Sequence, residues 1–561
     1  MNTQQTGLMW NLEYPNNVTY QVHLVFLLAL CIVDMKGGHQ LCGMYDKYFG
    51  VKRACISCYC SEDNLDNTNE QCINVLHHDM HSYIMTKTSE ELQEYSQHKL
   101  VNNAFFNVDT GGWKYGIWGM CPSEILHQFY EGILLYALKY LFENVLRSSQ
   151  LRILCIGVDK LISECRNQSD RSYPQATFTM GISHTAKMKG TEKFAAIFYI
   201  ALYLHTKDSE RVLDSTNKRK WLKLFQSFLF YRDWLMQDTH TRSDVLSKQS
   251  KIKNLLKQYK SLIQRTDGAG LKIPKIHELL HVCRDILRHG PPIGYDTCPT
   301  ESNHRPLKSM SQNTQRIKSR FELQTANRLY EDNILHTAYN DTSILFASIN
   351  KSKQINKNPI LSQTQGLFYL QTNENNQLAF LRSIAGSSIT NHHDFGDDLT
   401  TFLYDNLFCH IQNPNTTKIR CYSTYKRHGI IFYGCTRNHN ALRSNSSWAQ
   451  FIWNTDKNEN IYVPGKCIVF LDLSNITYNH NDPIYASELH VVIKSLQKSI
   501  GDRNANSVQQ LAKSASFTSN PKYYIVSVNT IYDQAFVVPD IGNDDNTVLY
   551  VYPRDNWKEL F

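Results

Sequence analysis

The sequence has no long apolar run. Its best candidate, residues 22–33 (VHLVFLLALCIV), carries His23 and is far short of the roughly 20 residues a bilayer requires, so it reads as a buried strand or helix end and no membrane partner is expected. No secretory pattern occupies residues 1–20. The fifteen cysteines are therefore expected as free or metal-bound thiols in a reducing compartment, nuclear or otherwise intracellular. Charge excess is also small: 59 Lys and Arg face 51 Asp and Glu, giving +8 and a pI near 8.6, a mild lean towards an anionic partner such as nucleic acid. No internal repeat is evident, and no second Cys-x-x-Cys accompanies the first. Apolar content of 42% excludes a disordered chain and supplies cores for several domains.

The stretch densest in chemistry is CPTESNHRPLK, residues 298–308, with Glu301, His304 and Lys308 at three- and four-residue steps on one helical face. Pro299 and Thr300 suit the entry of such a helix, which sets Glu301 in its first turn. Beyond it the face is basic: Arg305, Lys308, Arg316, Lys318, Arg320 and Arg328 stand against only Glu301 and Glu322. A metal-binding carboxylate heading a cationic helix suits phosphodiester chemistry, because the metal polarises the phosphate while the cations hold the backbone. A solvated surface helix has the same appearance. Asp34 closes the apolar run at residues 22–33, the form of a buried strand delivering a carboxylate to its exposed end, or of an Asp capping the next helix.

Two metal-type patterns stand apart from these. Cys55-Ile-Ser-Cys58 offers half of a tetrahedral zinc shell, with Cys72, His77, His78, His81 or the pair Glu124 and His127 of CPSEILH as candidates to complete it. His277-Glu278-Leu-Leu-His281 is a literal His-Glu-x-x-His, in which both imidazoles share a helix face, Glu278 is a general base and Glu301 a third ligand in a zinc-peptidase reading.

Residues 122–145 read as a long amphipathic helix whose Ile125, Phe129, Ile133, Tyr136 and Tyr140 face a core. Helical pattern continues to about 270, interrupted at residues 181–190 and at the polar, basic stretch 242–265, where Lys248, Lys251, Lys253, Lys257 and Lys260 form a candidate nucleic-acid face. An Asn/Ser/Lys-rich linker follows near 350–365, and from about 400 short β-branched and aromatic runs alternate with turns, the pattern of a small sandwich or barrel.

Taken in order, DMKGGHQLCGMY from Asp34, the Cys55/Cys58 pair, AFFNVDTGG from Ala104, CPSEILH from Cys121, PKIHELLH from Pro274 and the Glu301 segment resemble transposases of the CACTA (EnSpm) and Plavaka-like group. The closing AFVVPD and RDNWKELF resemble the C-terminal β-rich end of such proteins. The resemblance implies an α/β chain: a partial RNase-H-like core over 1–345 with a helical insertion at about 120–270, a linker at 346–366 and a β-rich domain over 367–561. It further implies DNA as partner, with an oligomer allowed, and Asp34 and Glu301 as the second and third of three acidic residues holding Mg²⁺ or Mn²⁺. Cys55, Cys58, Glu124 and His127 would then be candidate ligands of a structural Zn²⁺, and His304, Arg305, Lys308, Arg316, Lys318 and Arg320 the DNA contacts. Only Glu13 is acidic among the residues before Asp34, so the first carboxylate of the trio is expected to be missing, the chain N-terminally truncated and cleavage lost. Two other readings stand beside this one: a domesticated DNA- or chromatin-binding scaffold, and the zinc metallopeptidase.

Overall fold

The computed structural model describes residues 8–13, 19–24, 31–32, 35–45, 52–68, 72–98, 113–166, 173–263, 274–297, scattered positions from 323 to 334, 364–372, 378–384, 387–389, 397–414, 417–427, 430–434, 448–454, 460–479, 489–496, 511–516, 523–543, and 547–561 except 553, 555–556 and 558–560. Asp34, Glu301, the basic segment His304 to Arg320 and residues 346–363 of the expected linker lie outside the described residues. The protein is mixed α/β, and the strand pairings among the described residues are antiparallel.

A hairpin of β1 (Leu8–Glu13) and β2 (Thr19–Leu24) opens the chain, followed by α1 (Met35–Leu41). The described residues between 42 and 98 then form a small body with α2 (His77–Thr86) and α3 (Ser89–Glu94). Its ties are polar as well as apolar. The buried Arg53 guanidinium donates to Gln97 Oε1 at 3.1 Å, and Gln97 Nε2 donates to the carbonyls of Cys42 (2.9 Å) and Gly43 (2.8 Å). Thr88 and Glu91 form a capping box that starts α3, each side chain satisfying the other's backbone amide.

The middle of the chain is a helical bundle. A continuous helix begins in π-register at Leu126–Leu134, becomes α4 (Leu135–Tyr140) and returns to π-register at Leu141–Val145. The wider turns rotate the expected apolar stripe: Ile125, Phe129 and Ile133 are buried, whereas Tyr136 is 40% exposed. Next come α5 (Ser148–Arg166), α6 (Gly190–His205), α7 (Ser215–Leu235) and α8 (Arg242–Leu262). Helix α6 is apolar all round, FAAIFYIALYL, and every residue from Phe194 to Leu204 is buried, so it forms the bundle's axis between α5, α7 and the helix from Leu126.

Helix α8 corrects the expected break at residues 242–265. Thr241 caps it, with Asp244 N donating to Thr241 Oγ1 at 3.2 Å, and Val245, Ile252, Leu255, Leu256 and Tyr259 pack inward at helical spacing. Its lysines are not one free face either. Lys248 is buried with its ammonium 5.9 Å from the Phe561 ring centre, and Lys260 pairs with Asp66 at 3.0 Å. After α9 (Pro274–His277), a 3-10 turn at Glu278–Leu280 leads into α10 (Val282–His289), which ends at Gly290 with φ +87°, a left-handed conformation that favours glycine.

From Thr364 onwards, β3 (Thr364–Thr372), β4 (Leu378–Ile384), β5 (Ser387–Ile389), β6 (Ile419–Arg427), β7 (Ile430–Tyr433), β8 (Trp448–Asn454), β9 (Asn460–Asp472), β10 (Leu489–Ser495), β12 (Tyr523–Ser527) and β13 (Ile531–Gln534) form one ten-stranded sheet. Both of its faces are covered. Cys421, Val469, Leu471 and Val492 pack under α11 (Asp397–Asn406), while the alternate residues Tyr422, Phe470, Val491 and Ile493 enter a second cluster. The last sheet, β11 (Ala512–Ser516), β15 (Thr547–Val551) and β14 (Phe536–Pro539), is shared: Phe536, Val538, Leu549 and Val551 enter the core of the helices, while Val537 and Tyr550 on its other face pack with Leu496, which follows β10, and Trp448 of the ten-stranded sheet. No helix of the described residues is long and apolar enough to cross a membrane.

Candidate metal centre

The Cys55/Cys58 loop is a closed knuckle. Ala54 N–H donates to the Cys60 carbonyl (2.8 Å), and the loop pairs with the strand-like segment after Cys72 through Tyr59 N to Ile73 O (3.0 Å) and Val75 N to Ser57 O (3.1 Å). Opposite it stand the two imidazoles of the His-Glu-x-x-His segment. His277 ends α9, and the 3-10 turn that follows, with His281 N–H donating to the Glu278 carbonyl (2.9 Å), brings His281 round to the same side.

These four side chains meet. Cys55 Sγ lies 3.3 Å from His281 Nε2, Cys58 Sγ 3.2 Å from His277 Nε2, and the two Nε2 atoms are 3.1 Å apart. All four ligand atoms lie within 4.8 Å of one another. A tetrahedral zinc ion with bonds of about 2.3 Å to sulfur and about 2.0 Å to nitrogen requires edges of roughly 3.3–3.8 Å, close to what is found. Burial is nearly complete, from 0% exposure at Cys58 to 6% at Cys55. His277 Nδ1 is 3.1 Å from the Leu65 carbonyl, which fixes the ring with Nε2 towards the two sulfurs; burial opposes the charged ring, but the Cys55 and Cys60 sulfurs outweigh it and hold its pKa well above the usual value. The Cys58 thiol, with the two histidines behind it, holds Cys55 well below its usual pKa despite burial, while burial and Arg284 hold His281 at about 4, so the imidazole is neutral as a metal requires. Outer contacts fix both halves: Arg284 donates to Asn74 Oδ1 (2.9 Å), and Lys260 pairs with Asp66.

The two sequence halves thus come together as one set of side chains that could hold a zinc ion, in a combination that spacing did not suggest. Glu124 and His127 are not part of the cluster. Glu124 caps the helix from Leu126, accepting from Leu126 N (2.7 Å) and His127 N (2.7 Å), and its carboxylate also receives His127 Nδ1 (2.5 Å) and the Thr297 hydroxyl (2.7 Å). With those lone pairs committed, Glu124 is a positioning group for His127. Cys72 and the α2 histidines likewise lie outside the cluster.

Compared with protein-family models and with curated proteins, the chain finds no match. Its chemistry therefore has to be read from the site. Four protein ligands fill a zinc shell and leave no position for the bound water that a peptidase activates. Burial first, then the charges of Cys55, Glu124 and Asp285, push the Glu278 carboxyl up to about 8. The centre is of the closed, structural type. Beside it lies a small cavity of about 20 Å³, room for a water or a small ion, lined by Gly38, Glu124, His127, Gln128, Lys275 and Glu278 among others. Gln128 Nε2 there is buried without a hydrogen-bond partner.

Proposed function

We propose that this chain is a DNA-binding protein of transposase descent, in which a Cys₂His₂ zinc centre staples the segments that carry its acidic residues. One observation carries the reading. Thr297, four residues before Glu301, donates to Glu124, and Gly38, four residues after Asp34, lines the same cavity as Glu124 and His127. Cys31, three residues before Asp34, is held there too, its amide donating to the Met120 carbonyl at 2.8 Å. The described neighbours of two carboxylates far apart in sequence therefore converge on one place, as a divalent-metal phosphodiester site demands of its ligands. The zinc centre is what makes that convergence durable, since it joins the knuckle of Cys55 and Cys58 to the segment of His277 and His281 that leads to Thr297. DNA contact is assigned to the cations that follow Glu301.

The test is a salt titration of duplex-DNA binding by the full chain. The log of the affinity should fall with the log of salt with a slope of about −4 or steeper, the mark of about five neutralised phosphates. Changing Lys308, Arg316, Lys318 and Arg320 together to Ala should flatten that slope by about three to four units. A flat titration, or a slope the quadruple variant leaves unchanged, removes the reading. Addition of Mn²⁺ asks separately whether the site cleaves, and loss of any nicking in Glu301→Gln would assign it to that carboxylate.

A further inference from the structure

The small cavity beside the metal centre is lined by a donor that no other group of the protein takes up. Gln128 is 2% exposed, and its Nε2 has no hydrogen-bond partner among the described residues. A buried N–H left unpaired is costly, so this one calls for an acceptor inside the cavity. Lys275 lines the same space and makes no ion pair among the described residues. Its stem is laid along the helix from Leu126, since a Cβ added at Gly132 would come within 3.2 Å of the Lys275 Cδ. The third feature is the helix itself. Pro122, Ser123 and Glu124 on the cavity wall are its entry, and the helix runs on to Val145, so its dipole favours negative charge there. Glu124 offers little to a cation: Oε1 accepts from His127 N and Nδ1 and Oε2 from Leu126 N and the Thr297 hydroxyl, which uses its lone pairs. Glu278 is the other carboxyl of the wall, and Lys275 opposes its charge.

We infer that this cavity takes one oxygen of a phosphate group, held between the Gln128 Nε2–H and the Lys275 ammonium. Its volume of about 20 Å³ admits a single oxygen and leaves the phosphorus at the rim. The inference rests on the phosphodiester reading above and names the part of the substrate that this wall holds: a backbone phosphate, brought to the place where Gly38 and the Thr297 contact to Glu124 meet. No bond is made or broken by these two side chains. Lys275 neutralises charge, and Gln128 fixes the direction of one non-bridging oxygen. A free phosphate ion presents the same oxygen, so the two sources are separated by experiment.

The experiment runs the duplex-DNA salt titration on the zinc-loaded full chain as wild type, Lys275→Ala, Gln128→Leu and Gln128→Glu, with zinc content and melting midpoint measured on the same samples. A second arm omits DNA and follows the midpoint with added inorganic phosphate. Lys275→Ala should flatten the salt slope by about one unit, one phosphate contact fewer. Gln128→Leu keeps the volume and removes the donor, so affinity should fall about ten-fold at every salt concentration with the slope unchanged. Gln128→Glu, which sets a negative charge at the oxygen, should weaken binding further. Lys275 lies two residues from His277, so the Gln128 variants decide the matter if Lys275→Ala loses zinc. A phosphate-raised midpoint that Gln128→Leu abolishes, with DNA binding unchanged in the variants, assigns the site to free phosphate. Wild-type affinity and slope in all three variants with no effect of phosphate overturn the inference and leave the cavity to water. Tighter Mn²⁺ binding by Gln128→Glu overturns it in favour of a cation site. A flat wild-type DNA titration removes the phosphodiester reading instead, and the phosphate arm then decides this inference by itself.

Discussion

His277 shows how much one side chain is asked to do at the centre. Its Nε2 faces Cys58 while its Nδ1 meets the Leu65 carbonyl, so one ring joins a helix end, a cysteine sulfur and a loop backbone. Replacing any member of such a set leaves three ligands, and structural zinc contributes folding free energy outright, beyond what the Arg284–Asn74 and Lys260–Asp66 contacts between the halves supply. Cys58→Ser and His277→Ala are therefore expected to lower zinc from about one per chain to a small fraction of that, and to broaden or abolish the thermal transition. His127→Ala is the informative control. Its ring is engaged with the Glu124 carboxylate and lies outside the ligand cluster, so zinc content should remain at the wild-type level. Loss of zinc from His127→Ala together with its retention in His277→Ala would reverse the assignment.

At the scale of elements, the helices from α5 to α7 were legible from their spacing, and so was the alternation in the later strands, because burial of one face imprints a period on the sequence. Helix α8 was not, since its mostly polar and basic composition hid an apolar stripe from Val245 to Tyr259. Nor was the rotation of Tyr136 to the surface, which depends on π-register that no residue type announces. The metal centre was legible only as halves. A Cys pair lacking two ligands and a His pair lacking a third were each visible, but the contact between Cys58 and His277 spans 219 residues and exists only in the folded chain. Close helix packing was equally silent. Gly157 on α5 lies where an added Cβ would run into the Tyr203 ring of α6, so this glycine sets how near the two helices approach. Gly157→Ala should destabilise the bundle by about 1–3 kcal/mol, the usual cost of overpacking, despite alanine's better helix propensity. Chemical denaturation would show it as a lower midpoint; an unchanged or higher midpoint would mean that Tyr203 moves aside freely.

Over the whole molecule the chain closes on itself. The last sheet lies between the two bodies: one face meets Leu496, which follows β10, and Trp448 of the ten-stranded sheet, and the other joins the core of the helices. Phe536 stacks 4.2 Å from Tyr173, the Tyr173 hydroxyl donates to the Tyr552 carbonyl (3.3 Å), and Arg554 makes a two-pronged contact with Asp233 through Nε to Oδ2 (2.7 Å) and an Nη to Oδ1 (2.8 Å). Trp557 is fully buried between Phe198 and Phe230, and Phe561 packs on Tyr231 and Trp234. Helices from the middle of the sequence thus complete their core only with the last residues of this sequence, a non-local closure that is slow to form because the intervening chain must first be brought back. Trp557→Ala removes the centre of that contact and should cost about 3–5 kcal/mol. Because the core is shared, the loss should appear in the helices and the last sheet together, as one calorimetric transition shifted to lower temperature. Limited proteolysis of the variant should then cut within α7 and after Pro539 at similar rates. Bundle helices that melt at the wild-type temperature while the last sheet alone unfolds would show that the closing residues merely rest on the bundle and do not complete it.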